Sequence, residues 1–390
     1  MTATLNLRFR PTYCLSSILS LVALLSSAVL TAKDLPVFSP EDVFEIEYAS
    51  DPRVSPDGSQ VAYVRVSMDI MTDRARRAIW VVDTDGTNHR PLVSGQGNFS
   101  SPRWSPSGDR LAYLSNTEGK TQLFVEWLDA GETAKVTTLP QSPSGIVWSP
   151  DGEQIAFTRL VPTAPPMLAT MPDKPKGATW AEPATVVDKM TFRVDGGGYL
   201  PSGSQQVFVV PAHGGTPRQM TSGDFPISSA VTWSPDSQSV IFSSNRRDDA
   251  EYHPRQSDLF AAALLTGQIT QITDTAGPEG RPVVSPNGRY LAYTQTADIR
   301  QGYNGAKLTI RDLTTSESRS LTTDFDRSVS DIQWSQDSKS LWISYTDLGM
   351  VRVAKIDLRG KLRQSDIVLG GTAIGRPYTS GSFSVGGKGR

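Results

Sequence analysis

The feature that most constrains this chain is a short phrase that it repeats: an apolar residue, then Ser-Pro-Asp-Gly or a near variant, then an alternating apolar run. The phrase reads RVSPDGSQVAYV from Arg53, RWSPSGDRLAYL from Arg103, VWSPDGEQIAFT from Val147, TWSPDSQSVIFS from Thr232, VVSPNGRYLAYT from Val283 and QWSQDSKSLWIS from Gln333. The turn serines are Ser55, Ser105, Ser149, Ser234, Ser285 and Ser335, a period of about 50 residues with one oversized step after Ser149. Each phrase encodes a β-hairpin. Serine at the first turn position can accept a backbone N–H, proline presets φ at the second, and Asp-Gly or Asn-Gly tolerates the angles of a tight turn. The flanking Val, Ile, Tyr and Phe suit half-buried strands.

A second hairpin follows every phrase, as in IWVVDTDGTNHRPLV from Ile79 or LTIRDLTTSESRSLT from Leu308. Two hairpins per unit make a four-stranded antiparallel sheet. Such units at this period, with no helical periodicity between them, specify an all-β fold, a β-propeller with six complete blades. The tail SFSVGGKGR places Gly386 to Gly389 where another turn is due, so the start of a seventh blade is expected. The oversized step holds a single second hairpin and therefore one blade, blade 3. That blade carries an insertion at about 160–206, rich in proline and ending in Gly196-Gly197-Gly198. In a meander the first and third connections leave one end of the blade, and the second connection leaves the other. The second connections are expected to be long loops in blades 1, 3, 4 and 5, at about 65–77, 160–206, 243–258 and 294–307, sharing one face where binding would lie.

Near the N-terminus, Arg8 and Arg10 precede an apolar run from Leu15 to Leu30, with small residues at Thr31 and Ala32. This is the layout of a secretory signal over residues 1–32, which leaves a propeller over 33–390 and implies a secreted or periplasmic location, an uncleaved anchor being the second reading. The one cysteine, Cys14, lies inside the leader, so a mature chain would hold no disulfide and no thiolate metal site. With 38 basic and 40 acidic residues, neither nucleic acid nor an anionic membrane is expected as a partner beyond the signal segment.

Catalytic chemistry is sparse. No G-x-S-x-G nucleophile elbow occurs, and Ser382 and Ser384 in the tail have a serine, not a glycine, two residues earlier. The three histidines, His89, His213 and His253, fall in hairpin turns or a loop, so no catalytic residue, no metal ligand and no cofactor is assigned. Asp83-Thr84-Asp85-Gly86 lacks the remaining ligands of a calcium loop and reads as a turn. Trp104, Trp148, Trp233 and Trp334 occupy one repeated position and read as packing between blades. One loop does concentrate chemistry, NRRDDAEYHPRQSD from Asn245. Its Arg247, Asp248, Glu251 and Tyr252 are candidate substrate-binding residues, since an acidic pair can hold a peptide's amino terminus and an arginine its carboxylate. The competing reading is a solvated loop with internal ion pairs.

Four phrases in order carry a resemblance: SPEDVFEIEYASDPRVSPDGSQVAYVR from Ser39, the FRVDGGGYL of the insertion, GGTPRQMTSGDF from Gly214 and the terminal GRPYTSGSFSV. Together they resemble the N-terminal propeller of prolyl oligopeptidase family serine peptidases, in the bacterial acylaminoacyl-peptidase and dipeptidyl-aminopeptidase branch. The resemblance implies a propeller that caps a C-terminal α/β-hydrolase domain, limits access to short peptides, and supplies charged groups that fix a peptide terminus. The Ser-Asp-His triad of that family lies in the hydrolase domain. The expectation is therefore a chain truncated before its catalytic domain and inactive alone, with that domain and a short peptide as partners. Two alternatives stand beside it. One is a periplasmic interaction scaffold resembling the TolB propeller, against which the long period counts. The other is a self-contained propeller enzyme with a metal in its channel, against which the scarcity of histidine and cysteine counts.

Overall fold

The computed structural model describes residues 37–387 except 165, 167, 168, 170, 171, 182, 183, 229, 299–302 and 371–380, so the expected signal segment lies outside the described residues. The chain divides into two units, one up to Glu45 and one from Ile46 onward. In the first, a 3-10 helix spans Pro40–Glu45, and the Ser39 N–H donates to Asp42 Oδ2 at 2.7 Å.

The second unit holds six four-stranded antiparallel meanders. Blade 1 comprises Glu47–Val54, Gln60–Asp69, Arg74–Asp83 and Arg90–Val93, and blade 2 Phe99–Trp104, Arg110–Ser115, Gln122–Trp127 and Glu132–Lys135. Blade 3 comprises Ser144–Trp148, Gln154–Pro162, Gly203–Pro211 and Arg218–Gln219, and blade 4 Thr232–Trp233, Ser239–Ser244, Asp258–Ala263 and Ile269–Gln271. Blade 5 comprises Glu279–Val284, Tyr290–Gln295, Lys307–Asp312 and Ser318–Ser320, and blade 6 Val329–Trp334, Ser340–Asp347, Met350–Asp357 and Leu362–Leu369.

Every turn phrase closes as its chemistry demands. In all six blades the turn serine hydroxyl accepts the N–H five residues on, at 2.9–3.1 Å. In blade 1 the Ser55 hydroxyl also donates to Asp57 Oδ1, which accepts the Ser59 N–H as well. Donation by Ser55, then by Ser59, holds the Asp57 carboxyl down from its ordinary 3.8 to about 2. Four residues before the turn serine, the innermost strand enters left-handed φ at Asp51, Ser101, Gly145 and Arg281, and in blades 1, 2 and 5 the pairing slips at that point. These are β-bulges, which add twist to a strand.

The tryptophans join blade to blade. Trp104 Nε1 donates to the Arg53 carbonyl, Trp148 to Arg103, Trp233 to Val147 and Trp334 to Val283, at 2.9–3.1 Å, each reaching back to the innermost strand of the preceding blade. Apolar clusters fill the same junctions. Ala62 and Ile79 of blade 1 meet Leu111 and Tyr113 of blade 2, and Leu123 and Val125 meet Trp148 and Phe157 of blade 3. Val207 and Val209 then meet Val240 and Phe242, Leu259 meets Leu291 and Tyr293, and Leu308 meets Leu341 and Ile343.

Among the described residues no such cluster joins blade 6 to blade 1. The seam is bridged by the segment 381–387, which takes the innermost position of a seventh blade. Gln333 Nε2 donates to the Phe383 carbonyl at 2.6 Å, Val385 N–H donates to Gln333 Oε1 at 2.9 Å, and Val54 N–H donates to Ser384 Oγ at 3.0 Å. A Cβ on Gly58 would lie 2.6 Å from Gly387 Cα, so the backbones touch here as only glycine permits.

One expectation needs correction. Residues 65–77 in blade 1 are not a long loop, because the two strands run on and pair from Arg65↔Ala78 out to Asp69↔Arg74. The extension lacks a Gly or Pro signal. Asp69 closes it instead, accepting the Met71 N–H and the Thr72 hydroxyl and pairing with Arg76 at 3.0 Å.

Two outcomes are expected. Trp148→Phe strands the Arg103 carbonyl and should lower the unfolding free energy by about 1–3 kcal/mol in a denaturant titration. The Asp57 carboxyl is depressed on folding, so its contribution is present above 3.8 and lost as pH falls through about 2. Stability measured over that acid range should fall less steeply in Asp57→Asn than in the wild type.

Candidate functional site

The six tight turns share one end of the meanders, and the second connections share the other. There, blade 3 projects residues 163–202, blade 4 residues 245–257 and blade 5 residues 296–306. Beyond Glu45, and apart from Leu265 at the opposite end and Ile367 and Val368 on an outer strand, every exposed large hydrophobic residue described lies in or beside a second connection. Met71, Tyr252, Tyr303 and Leu348, each more than 70% exposed, tip the connections of blades 1, 4, 5 and 6. The blade 3 excursion adds a two-stranded hairpin, Arg193–Val194 with Gly198–Tyr199, whose Phe192 and Tyr199 rings sit 6.1 Å apart. Lys189 ties this excursion to Asp224 at 2.5 Å.

The 245–257 loop is shaped by Asn245, whose Nδ2 donates to the His253 carbonyl at 2.9 Å around a 3-10 turn at Ala250–Tyr252. Arg246 turns inward, its guanidinium 4.5 Å above the Phe225 ring, and desolvation lowers its pKa. Arg247 points outward and grips Asp249 through Nε at 2.8 Å and Nη2 at 3.3 Å, while His253 lies 3.2 Å from the same carboxylate. Arg247 is thus already partnered within the loop. Asp248, Glu251 and Tyr252 sit beside it, all exposed, with no hydrogen bond or ion pair through their side chains. His89, exposed in its turn, lies tilted against Trp80 at 4.9 Å and meets Tyr63 Oη at 2.6 Å.

The loop's C-terminal stem leads to two acids that the reading of the sequence missed. Glu279 opens the innermost strand of blade 5 and is 1% exposed, and Asp258 opens the third strand of blade 4 and is 8% exposed. Six residues before the turn serine, where Glu279 stands, blades 2 and 6 carry the buried apolar Phe99 and Val329. At the position of Asp258, blades 2 and 3 carry Gln122 and Gln206, each accepting a threonine hydroxyl, from Thr137 and Thr221. In blade 4 the corresponding Thr273 hydroxyl accepts the Leu259 N–H at 2.9 Å and sits by Glu279, where it works to lower that carboxyl's pKa. Thr275 lies against both acids: its hydroxyl donates to Glu279 Oε1 at 2.5 Å, and its backbone amide works to lower the Asp258 pKa. Glu279 Oε2 and Asp258 Oδ1 have no partner. Burial first, then Asp258, pushes the Glu279 carboxyl up, and burial first, then Asp274, pushes Asp258 up. Aligning the six repeats position by position is the signal that would have exposed both.

Two family models match the chain, the TolB beta propeller domain over residues 58–163 and the Dipeptidyl peptidase IV (DPP IV) N-terminal region over residues 178–299. The second spans the 245–257 loop, Asp258 and Glu279. The chain is 26% identical over 343 residues to dipeptidyl-peptidase 5 of Porphyromonas gingivalis, covering 84% of this chain and 49% of that protein. It is 30% identical over 218 residues to the uncharacterized peptidase YuxL of Bacillus subtilis, covering 54% and 32%. A solved acylaminoacyl peptidase in complex with Z-Gly-Gly-Phe-chloromethyl ketone shares the fold with a TM-score of 0.66 at 16% identity, over 84% of this chain and 47% of that one. The chain is a β-propeller similar to the N-terminal part of these peptidases. It spans about half the length of dipeptidyl-peptidase 5 and of the acylaminoacyl peptidase. The likeness to the TolB propeller model stops at residue 163, so the scaffold reading covers less of the propeller than the peptidase reading does.

The Arg247–Asp249 pair is about half exposed and screened by solvent, so it adds little to the fold. Asp249→Ala should leave the melting temperature unchanged in a thermal scan while freeing Arg247 for an added carboxylate.

Proposed function

We propose that this chain is the substrate-gating propeller of a secreted or periplasmic serine peptidase acting on short peptides, of dipeptidyl- or acylaminoacyl-peptidase type. An α/β-hydrolase domain would dock over the end that carries the second connections. The observation that carries this reading is the concentration of exposed apolar side chains at that end, where Met71, Tyr303 and Leu348 stand out from three different blades. Isolated exposed hydrophobics need no explanation, but a set gathered on one face marks an interaction surface. Arg247, Asp248, Glu251 and Tyr252 share that face, and their roles follow from charge: the acids would hold a peptide ammonium and the arginine a carboxylate. The dipeptidyl-peptidase 5 and YuxL relatives support the peptidase assignment.

The test joins the chain to the catalytic domain of a peptidase relative and follows a chromogenic dipeptide or acyl-amino-acid substrate. Hydrolysis should appear in the joined protein and not in the 390-residue chain. Replacing Asp248 and Glu251 together by Asn and Gln should raise KM about tenfold with little change in kcat, the size of a lost charged hydrogen bond. An unchanged KM would remove these residues from the site, and hydrolysis by the chain alone would overturn the gating role.

A further inference from the structure

We propose that Glu279 and Asp258 form a proton-held latch between blades 4 and 5, which fixes the stem of the 245–257 loop while the pair carries a proton and releases it once both acids ionise. The latch does not depend on what the loop binds.

The stem is stitched to the entry of blade 5 at several points around the two acids. Ser257 forms a parallel bridge with Pro278, Glu279 N–H donates to the Ser257 carbonyl at 3.0 Å, and Ser257 Oγ donates to the Glu279 carbonyl at 2.8 Å. Gln256 Oε1 accepts the Gly277 N–H at 2.8 Å, and its Nε2 donates to the Thr275 carbonyl at 2.8 Å. Thr275, which lies against both carboxyls, therefore also holds the loop. Two buried acids on one threonine, each with an unpartnered oxygen, lack a donor, and a proton on either supplies one.

The charged and titratable groups around the pair do not neutralise it. From the loop comes Arg247, already held by Asp249; from the segment after the outer strand of blade 4 comes Asp274; and from blade 5 come Tyr293 and Arg311. Three carboxyls face two shared guanidinium groups. Among the described residues no three His, Cys, Asp or Glu side chains converge as a metal cage, so a proton is the cation that fits. Both acids bind protons more tightly folded than unfolded. Their contribution is present below the ordinary carboxylate range and is lost as pH rises through the raised values.

The experiment measures hydrogen exchange of peptides covering 245–257 in the 390-residue chain from about pH 5 to about pH 8, corrected for intrinsic rates, with and without calcium and with a chelator. In the wild type the loop's protection should fall about tenfold or more across that range. In Glu279→Gln, whose amide donates without ionising, it should stay high throughout, and Asp258→Asn serves as a second variant. A flat wild-type profile, or an equal fall in both variants, would overturn the latch. Calcium restoring protection at high pH in the wild type alone would overturn it in favour of a metal.

Discussion

The propeller depends on burying each blade's face against the next. A four-stranded meander has two apolar faces and cannot cover either alone, so its stability resides in junctions of the kind that Leu123, Val125, Trp148 and Phe157 form between blades 2 and 3. The indole bonds give these junctions a fixed register, because each donor must reach one carbonyl of the preceding innermost strand. Packing sets how closely the sheets approach and the indole sets where. At about 50 residues per repeat this scheme leaves the strand ends free to vary, and the second connections use that freedom.

The seam between blades 6 and 1 works by different physics. Strand alternation puts Trp342 and Lys355 on the face of blade 6 turned away from blade 5, with Lys355 Nζ 5.4 Å from the indole ring and Trp342 Nε1 unpartnered. Tyr63 and Trp80 lie on the face of blade 1 turned away from blade 2, and Arg65 covers Trp80 at 4.4 Å. Cation–π pairs cover these faces within each blade, and side-chain hydrogen bonds such as Gln336 Nε2 to the Pro56 carbonyl cross the seam where aliphatic packing holds the other junctions.

The hairpins were legible in the sequence because their signals are local. Ser-Pro-Asp-Gly and the alternation after it specify turn, strand and register within a dozen residues, and the tryptophan positions could be read as junctions from recurrence alone. The strand extension beyond Arg65 was not legible, since no turn residue marks it and Asp69 closes it through side-chain bonds. The 245–257 loop could be singled out by its charge, but not the pairing that engages Arg247 or the inward turn of Arg246. Glu279 was hidden for another reason. A lone glutamate before a strand is unremarkable in sequence, and becomes informative only against the apolar residues at the same place in sister blades.

The Val54–Ser384 hydrogen bond joins residues 330 apart in sequence, whereas the Trp104–Arg53 bond joins residues 51 apart. Closing a chain loop costs entropy that grows with the logarithm of its length, so the seam is costlier to close than an ordinary junction by about 1.7 kcal/mol. Among the described residues it also has no apolar cluster to offset that cost. The ring is therefore unequal around its circumference: heat or denaturant will part it first where its two ends meet, before any blade loses its neighbour elsewhere.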